Sequence, residues 1–299
     1  MAESVHISVL LNESVAALCG SVEGGRYLDC TLGGAGHTQA ILEAHPQNHV
    51  VACDRDTRAI ARATVKLASF GDRITLRHAP FSTIADFESH SFDGVFADLG
   101  MSTDQLREGR GFSYSDEGAL DMRMDEEQEV TAASLVNELS EQDLFVLLKR
   151  GGVGSDARRF AHSIVRARPI TTPKQLAQAL GGSRDKNPAP VVFQALRIAV
   201  NNEFEEIDAL MAAAPRLVKE GGRLAVITFH SLEDKAVTRV MRAWEGSESY
   251  PAWWPGRKET VRLGKMVHRK PIVPSDAEVE KNPSARSARL RVFQFFTQA

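Results

Sequence analysis

Three features of the 299-residue chain predict an α/β fold, a doubly wound Rossmann-like sheet with an inserted all-helical domain. Apolar runs end on acids at Asp29, Asp54 and Asp98. Gly33, Gly34 and Gly36 separate the first run from a helical pattern, as in the ligand-binding turn of such sheets. From Gln105 to about Asn202 the strand pattern disappears and apolar residues recur at helical spacing.

His6–Leu11 reads as an extended lead-in, with Asn12 as the cap of a helix over Glu13–Leu18. Tyr27–Asp29 is a short buried strand. In the turn that follows, glycines adopt left-handed angles and bring the backbone close to a ligand, while the N–H groups of the next helix point at it. Gly34-Ala35-Gly36 begins a dinucleotide fingerprint, but Gln39 stands where the third glycine belongs, and no Gly-Lys-Ser/Thr follows as in a P-loop. The spacing Asp29-x-x-x-Gly33-x-x-Gly36 resembles the first motif of S-adenosylmethionine-dependent methyltransferases; on this stretch alone an ordinary tight turn stays open.

His49–Asp54 is the second strand. Asp54 lies 20 residues beyond Gly34, the separation at which an acid accepts both ribose hydroxyls of a bound nucleoside. Asp56 suits the cap of the next helix, Thr57–Ser69, which leaves Asp54 for the ribose. Arg73–His78 alternates as a third strand, and Phe81 just beyond it either faces an adenine or plugs a loop. Phe92–Asp98 is the fourth strand. Ligands of open α/β sheets bind beyond the carboxyl ends of the strands, so Asp29, Asp54 and Asp98 are expected to share one crevice. Asp98-Leu99-Gly100-Met101 lacks the Pro-Pro-aromatic signature that many methyltransferases acting on exocyclic amines carry at this position.

Within the insertion, Leu135, Leu139, Leu144 and Leu148 fall at helical spacing, as do Phe160, Ile164 and Val165. Thr172-Pro173 starts a further helix and Gly181 ends it. Arg158, Arg159, His162, Arg166 and Arg168 form a basic stretch, either a solvated face or an RNA contact. Phe193, Leu196, Val200, Phe204, Ile207, Met211 and Leu217 trace one face of a long helix stopped by Gly221-Gly222. Leu224–Phe229 is the fifth strand, Ser231-x-x-Asp234 reads as a capping box, and His230 either takes a catalytic role or shapes the pocket. Leu290–Phe296 is the last strand.

A hydrophobic fraction of 43% and a charged fraction of 25% are those of a soluble globular protein. The net charge of −3 gives no global nucleic-acid footprint, yet Arg257–Arg291 holds ten basic against four acidic residues, the local excess that phosphates need. Trp244, Trp253 and Trp254 just before it pack under the loop or offer a stacking face. Cys19, Cys30 and Cys53 have neither metal spacing nor an even count, which suits a reducing compartment. With no spanning apolar run and no basic start, the expected address is the cytoplasm.

Several longer stretches carry a closer resemblance. Tyr27–His37, Ala79–Ser82, Asp98–Leu106, Arg110–Ser113, LDMRMD at Leu120–Asp125, FQALRIAV at Phe193–Val200, FHSLED at Phe229–Asp234 and NPSARSARLR at Asn282–Arg291 together resemble the bacterial 16S ribosomal RNA cytosine N4-methyltransferase family. The resemblance implies S-adenosylmethionine as cofactor, contacted at Ala35, Gly36, His37, Asp54, Phe81, Asp98 and Gln105. It implies a methyltransferase core at residues 1–103 and 203–299, interrupted by a helical substrate-recognition domain at 104–202. The partner it implies is a decoding-centre cytosine of 16S ribosomal RNA in the small ribosomal subunit, with no membrane; a homodimer is left open. Asp98 is the candidate acceptor for the amine's hydrogens. The chain departs from the family pattern at Met101–Gln105, Gly154–Ala157 and Asn187–Val191. A different S-adenosylmethionine-dependent RNA methyltransferase, an NAD-dependent oxidoreductase and a non-catalytic RNA-binding module are the other readings. The oxidoreductase leaves LDMRMD unexplained and the binding module leaves the strand-end acids unexplained.

Overall fold

The structure is a computed structural model and describes residues 7–20, 22–101, 109–181, 187–246 and 262–296. The chain divides into two compact units, Met1–Gly100 with Phe204–Ala299, and Met101–Glu203. The first unit carries β1 (Arg26–Asp29), β2 (His49–Asp54), β3 (Ile74–His78), β4 (Phe92–Asp98), β5 (Val218–Thr228), β6 (Gly264–Met266) and β7 (Arg289–Phe295) in one sheet ordered β3-β2-β1-β4-β5-β7-β6. The first five strands are parallel, while β7 runs antiparallel between β5 and β6. The strand order reverses at β1, so the crevice of such a sheet opens beyond the carboxyl ends of β1 and its neighbours.

Period-2 alternation divides the buried side chains between the two faces of the sheet. Leu28, Val51, Val95, Leu224, Val226 and Phe293 pack with Ile207, Leu210 and Met211 of α9 (Glu203–Leu217) and with Val237 and Met241 of α10 (Ser231–Trp244). Tyr27, Val50, Phe96, Ala225, Ile227 and Val292 pack with Leu18 of α1 (Leu11–Cys19), Ile41 and Leu42 of α2 (Gly36–Ala44), and Ala63 of α3 (Thr57–Lys66). Each fully buried large side chain contributes about 1.5–3 kcal/mol. Trp244 lies against Phe293 and Phe295, so it is a core residue; Trp253 and Trp254 lie outside the described residues.

Tertiary contacts move several boundaries. Helix α1 starts at Leu11, and its N-cap is Leu10, whose N–H donates to Glu278 Oε1 at 2.7 Å. Asn12 therefore sits inside the helix. The long helix expected through Leu217 is two helices, α8 (Ala189–Val200) and α9, broken where Asn202 takes φ 49°. Strand β5 follows α9 directly and runs through Gly221 and Gly222. A side chain at Gly222 would meet the backbone oxygens of Asp93 and Lys219, at the point where the β4–β5 register shifts.

The cap of α10 is also displaced. His230, not Ser231, is the N-cap: Glu233 N–H donates to His230 Nδ1 at 3.3 Å, and Glu233 Oε2 accepts from the N–H groups of His230 and Phe229. Asp234 is thereby left to clamp β7. Arg291 reaches it with two nitrogens, at 2.8 and 3.0 Å, and Arg289 at 3.1 Å. FHSLED and SARLR thus close on each other. Burial raises the Asp234 carboxyl, but the two guanidinium groups outweigh it and hold the pKa below the usual range.

The second unit contains α4 (Ala132–Glu138), α5 (Glu141–Arg150), α6 (Ala157–Arg166), α7 (Pro173–Leu180) and α8. Capping boxes start α4 at Thr131 and α7 at Thr172. LDMRMD is an irregular segment that anchors this unit. Leu120 and Met122 are fully buried, Asp121 and Arg123 form a bidentate pair at 2.8 and 2.9 Å, and Asn201 bonds the backbone of Met122 and Met124. Much of the basic stretch on and just after α6 is engaged within the unit: Arg158 covers the Phe145 ring, His162 pairs with Glu141 and Arg168 bonds the Val136 and Leu139 carbonyls.

Arg291→Ala should lose about 3 kcal/mol of stability at neutral pH, because Asp234 stays buried without its main partner. The folded-state pKa of Asp234 lies below its unfolded value, so the pair's contribution is complete above about pH 4 and is lost as pH falls through the folded value. Urea unfolding of both proteins from pH 7 to pH 3 is expected to show the gap closing at the acid end.

Candidate functional site

The site begins where β1 ends. Asp29 is fully buried, and its oxygens are used locally: Oδ2 accepts from Thr38 Oγ1 at 2.6 Å, and Oδ1 accepts from Thr31 N–H at 2.9 Å and from its hydroxyl at 3.4 Å. Burial pushes the Asp29 carboxyl up to about 6, against the pull of these donors. Thr31 Oγ1 in turn accepts the Asp98 N–H at 2.6 Å. Asp29 is thus a tie between β1, the turn and β4 rather than an acceptor facing a ligand. This role follows from its short reach: an Asp bonding the N–H two residues on forms an Asx turn, a signal present in Asp29-x-Thr31.

Asp54 closes the other side of the turn. Its Oδ2 accepts the Gly33 N–H at 2.7 Å and its Oδ1 the Asp56 N–H at 2.9 Å, while Asp56 itself caps α3. Burial raises the Asp54 carboxyl and these N–H bonds oppose the rise. Gly33 takes φ 48° and Ala35, the N-cap of α2, takes φ 61°. No side-chain hydrogen bond caps α2, so the turn presents backbone N–H groups at the start of a helix. A Cβ on Gly36 would run into Ser8 Oγ.

Asp98 ends β4. Burial, and then the charges of Asp29 and Glu233, raise its carboxyl well above the usual range. Its Oδ2 lies 3.8 Å from His37 Nδ1, and its Oδ1 is buried with no hydrogen-bond partner among the described residues. The His37 ring is itself buried, with Nε2 3.0 Å from the Val9 carbonyl and its face 4.5 Å from the Phe96 ring. Of the residues expected from sequence, Ala35, Gly36, His37, Asp54 and Asp98 surround this one turn. Phe81 opens a short 3-10 turn, Phe81–Asp86, beyond β3, but its side chain lies outside the described residues, as does all of Gln105. Thr31, Thr38 and Glu233 belong to the site and were not singled out, because hydroxyls and a helix N3 acid carry no distinctive spacing.

Two carboxylates on strands flanking a glycine turn suit a ligand with hydroxyl donors and positive charge. A parallel sheet of this order with an antiparallel β7 inserted beside β5, and such a turn after β1, is the architecture of the S-adenosylmethionine-dependent methyltransferases. Residues 3–296 match the MraW methylase family, and the chain belongs to it. S-adenosylmethionine is therefore its cofactor. Three relatives carry the name ribosomal RNA small subunit methyltransferase H. The chain is 42% identical to one from a Cyanothece species, over 98% of its own length and 95% of the relative's. It is 43% identical to one from Sorangium cellulosum, over 96% and 89%, and 42% identical to one from Magnetococcus marinus, over 97% and 98%.

Asp54→Ala should weaken S-adenosylmethionine binding by about 2 kcal/mol, the loss of charge-assisted hydrogen bonds to the ribose. Calorimetry on the folded variant checks this. An affinity equal to that of the wild type would leave Asp54 only its task of holding Gly33 and Asp56.

Proposed function

We propose that this enzyme methylates the N4 amine of a decoding-centre cytosine in 16S ribosomal RNA, within the small ribosomal subunit in the cytoplasm. The observation that carries the reading is the buried Asp98 Oδ1 beside the glycine turn, which has no hydrogen-bond partner among the described residues. The names of the relatives support a small-subunit ribosomal RNA as the substrate class.

The residues fit the cofactor. Asp54 offers acceptors to ribose hydroxyls, the Gly33–Gly36 turn allows close backbone approach, and Asp98 offers negative charge to a cationic ligand. Gly36, Ala35, His37, Phe81 and Gln105 complete the set. Bound S-adenosylmethionine supplies an electrophilic methyl group on a sulfonium. The amine nitrogen of cytosine is a poor nucleophile, because its lone pair is delocalised into the ring. An acceptor on one N–H draws it toward tetrahedral geometry, and Asp98 Oδ1 is that acceptor; after transfer it takes the proton the nitrogen loses. The cytosine must leave any stack to reach it.

RNA is held by local charge. Lys265, Arg269, Lys270 and Arg286 are exposed on the described part of the basic tail, whereas Arg289 and Arg291 serve Asp234. The helical unit at Met101–Glu203 is the substrate-recognition domain. Residues from two departures from the family pattern, Gly154, Ser155 and Asp156 of the first and Asn187, Pro188 and Val191 of the second, line one cavity of about 420 Å³ with Arg159 and Phe160.

Small subunits lacking the modification, incubated with enzyme and S-adenosylmethionine, should yield N4-methylcytidine on nucleoside mass spectrometry. Methylation of another base, or none, would refute the assignment. Lys265→Ala combined with Lys270→Ala should weaken RNA binding and lower the slope of log affinity against log salt by about 0.7–0.9 per lost phosphate contact, with cofactor affinity unchanged.

A further inference from the structure

Asp98 needs a counter-ion if it is to accept a proton. Its side chain, 14% exposed, ends β4, and Asp29 at the end of β1 and Glu233 in the first turn of α10 place negative charge beside it. Left to these surroundings it would hold a proton and have no capacity for another. The ion pair it makes among the described residues is with His37, from the first turn of α2, at 3.8 Å.

The geometry of His37 decides which nitrogen faces Asp98. A carbonyl oxygen only accepts, so the 3.0 Å contact to Val9 requires that Nε2 carry a hydrogen. Nδ1 is then the nitrogen directed at Asp98 Oδ2, and the place on the ring for a second proton. The Phe96 ring at 4.5 Å and the buried position fix the imidazole in this orientation. Glu233 is occupied differently: it accepts the N–H groups of Phe229 and His230 and lies 3.1 Å from the His230 ring.

We propose that His37, protonated on Nδ1, is the positioning residue that keeps Asp98 a carboxylate, oriented through Oδ2 so that the lone pairs of Oδ1 stay unused for the substrate amine. This rests on the proposed amine methylation, in which the N4 proton moves to Asp98 Oδ1 as the nitrogen gains its methyl group. The His37–Asp98 pair then passes from imidazolium and carboxylate to imidazolium and carboxylic acid.

His37→Gln keeps a donor for the Val9 carbonyl and removes the charge. In this variant the acid limb of the kcat–pH profile should move up by about one pH unit or more. Cofactor binding, measured by calorimetry in two buffers of different ionisation enthalpy, gives a readout independent of turnover. The variant should release about one more proton than wild type at neutral pH, because Asp98 then ionises only when the cationic ligand arrives. Asp98→Asn in the wild-type background should leave the proton count unchanged, since Asp98 is already ionised there. An acid limb that stays in place, or a wild-type count that falls by about one proton in Asp98→Asn, overturns the proposal. If the wild-type enzyme forms no methylated amine at all, the proposed function fails instead, while the proton counts still report on the His37–Asp98 pair.

Discussion

The buried carboxylate of Asp29 is the constraint on which the site depends. It stands at the switch point of the sheet, with no exposure to solvent, and gathers Thr31 from the turn and Thr38 from α2. Through the Thr31 hydroxyl it also fixes the backbone of Asp98. A charge in that position is unfavourable unless its lone pairs are used, and the neighbouring hydroxyls use them. The glycine turn thus has a defined shape before any ligand arrives. Asp54 fastens its far side through the Gly33 N–H, so one carboxylate holds the turn at Thr31 and the other at Gly33.

The helical unit is held together by other means. LDMRMD, the most distinctive string in the chain, does no chemistry that its contacts reveal. Arg123 bonds Asp121 and the carbonyls of Glu126 and Gln128, Arg110 covers the carbonyls of Arg123 and Met124, and Asn201 closes the segment onto the end of α8. Irregular backbone must satisfy its polar groups without a ladder, and arginine and asparagine side chains supply the missing partners. FHSLED and SARLR likewise meet through Asp234, which ties α10 to the inserted antiparallel strand β7. Long, specific strings in this chain therefore mark places where the backbone leaves regular structure as much as places where ligands are expected.

Much was legible in the residues alone. β2 and β4 begin and end where their apolar runs do, because strands buried on both faces are nearly pure hydrophobic sequence. The cap at Thr172, the proline after it and Gly181 mark α7, since all three act within one helical turn. The glycine turn and the acids at the ends of β2 and β4 were equally plain, being fixed by local spacing.

Tertiary structure decided what depends on residues far apart in sequence. Leu10 stands at the N-cap of α1 without a side-chain cap bond, and its N–H is held by a carboxylate 268 positions away, so no local rule finds it. Asp234 satisfies the spacing of a capping box with Ser231, but two arginines of β7 compete for it, and His230 with Glu233 takes over the cap. The apolar stripe running through Val200 to Leu217 has the period of one helix, yet the chain breaks at Asn201 and Asn202, where Asn201 is drawn into the LDMRMD segment. Asp29, Asp54 and Asp98 look alike in the sequence, each an acid closing an apolar run. Only the fold separates them, by giving Asp29 two threonines, Asp54 two backbone amides, and Asp98 a histidine and an oxygen without a partner among the described residues.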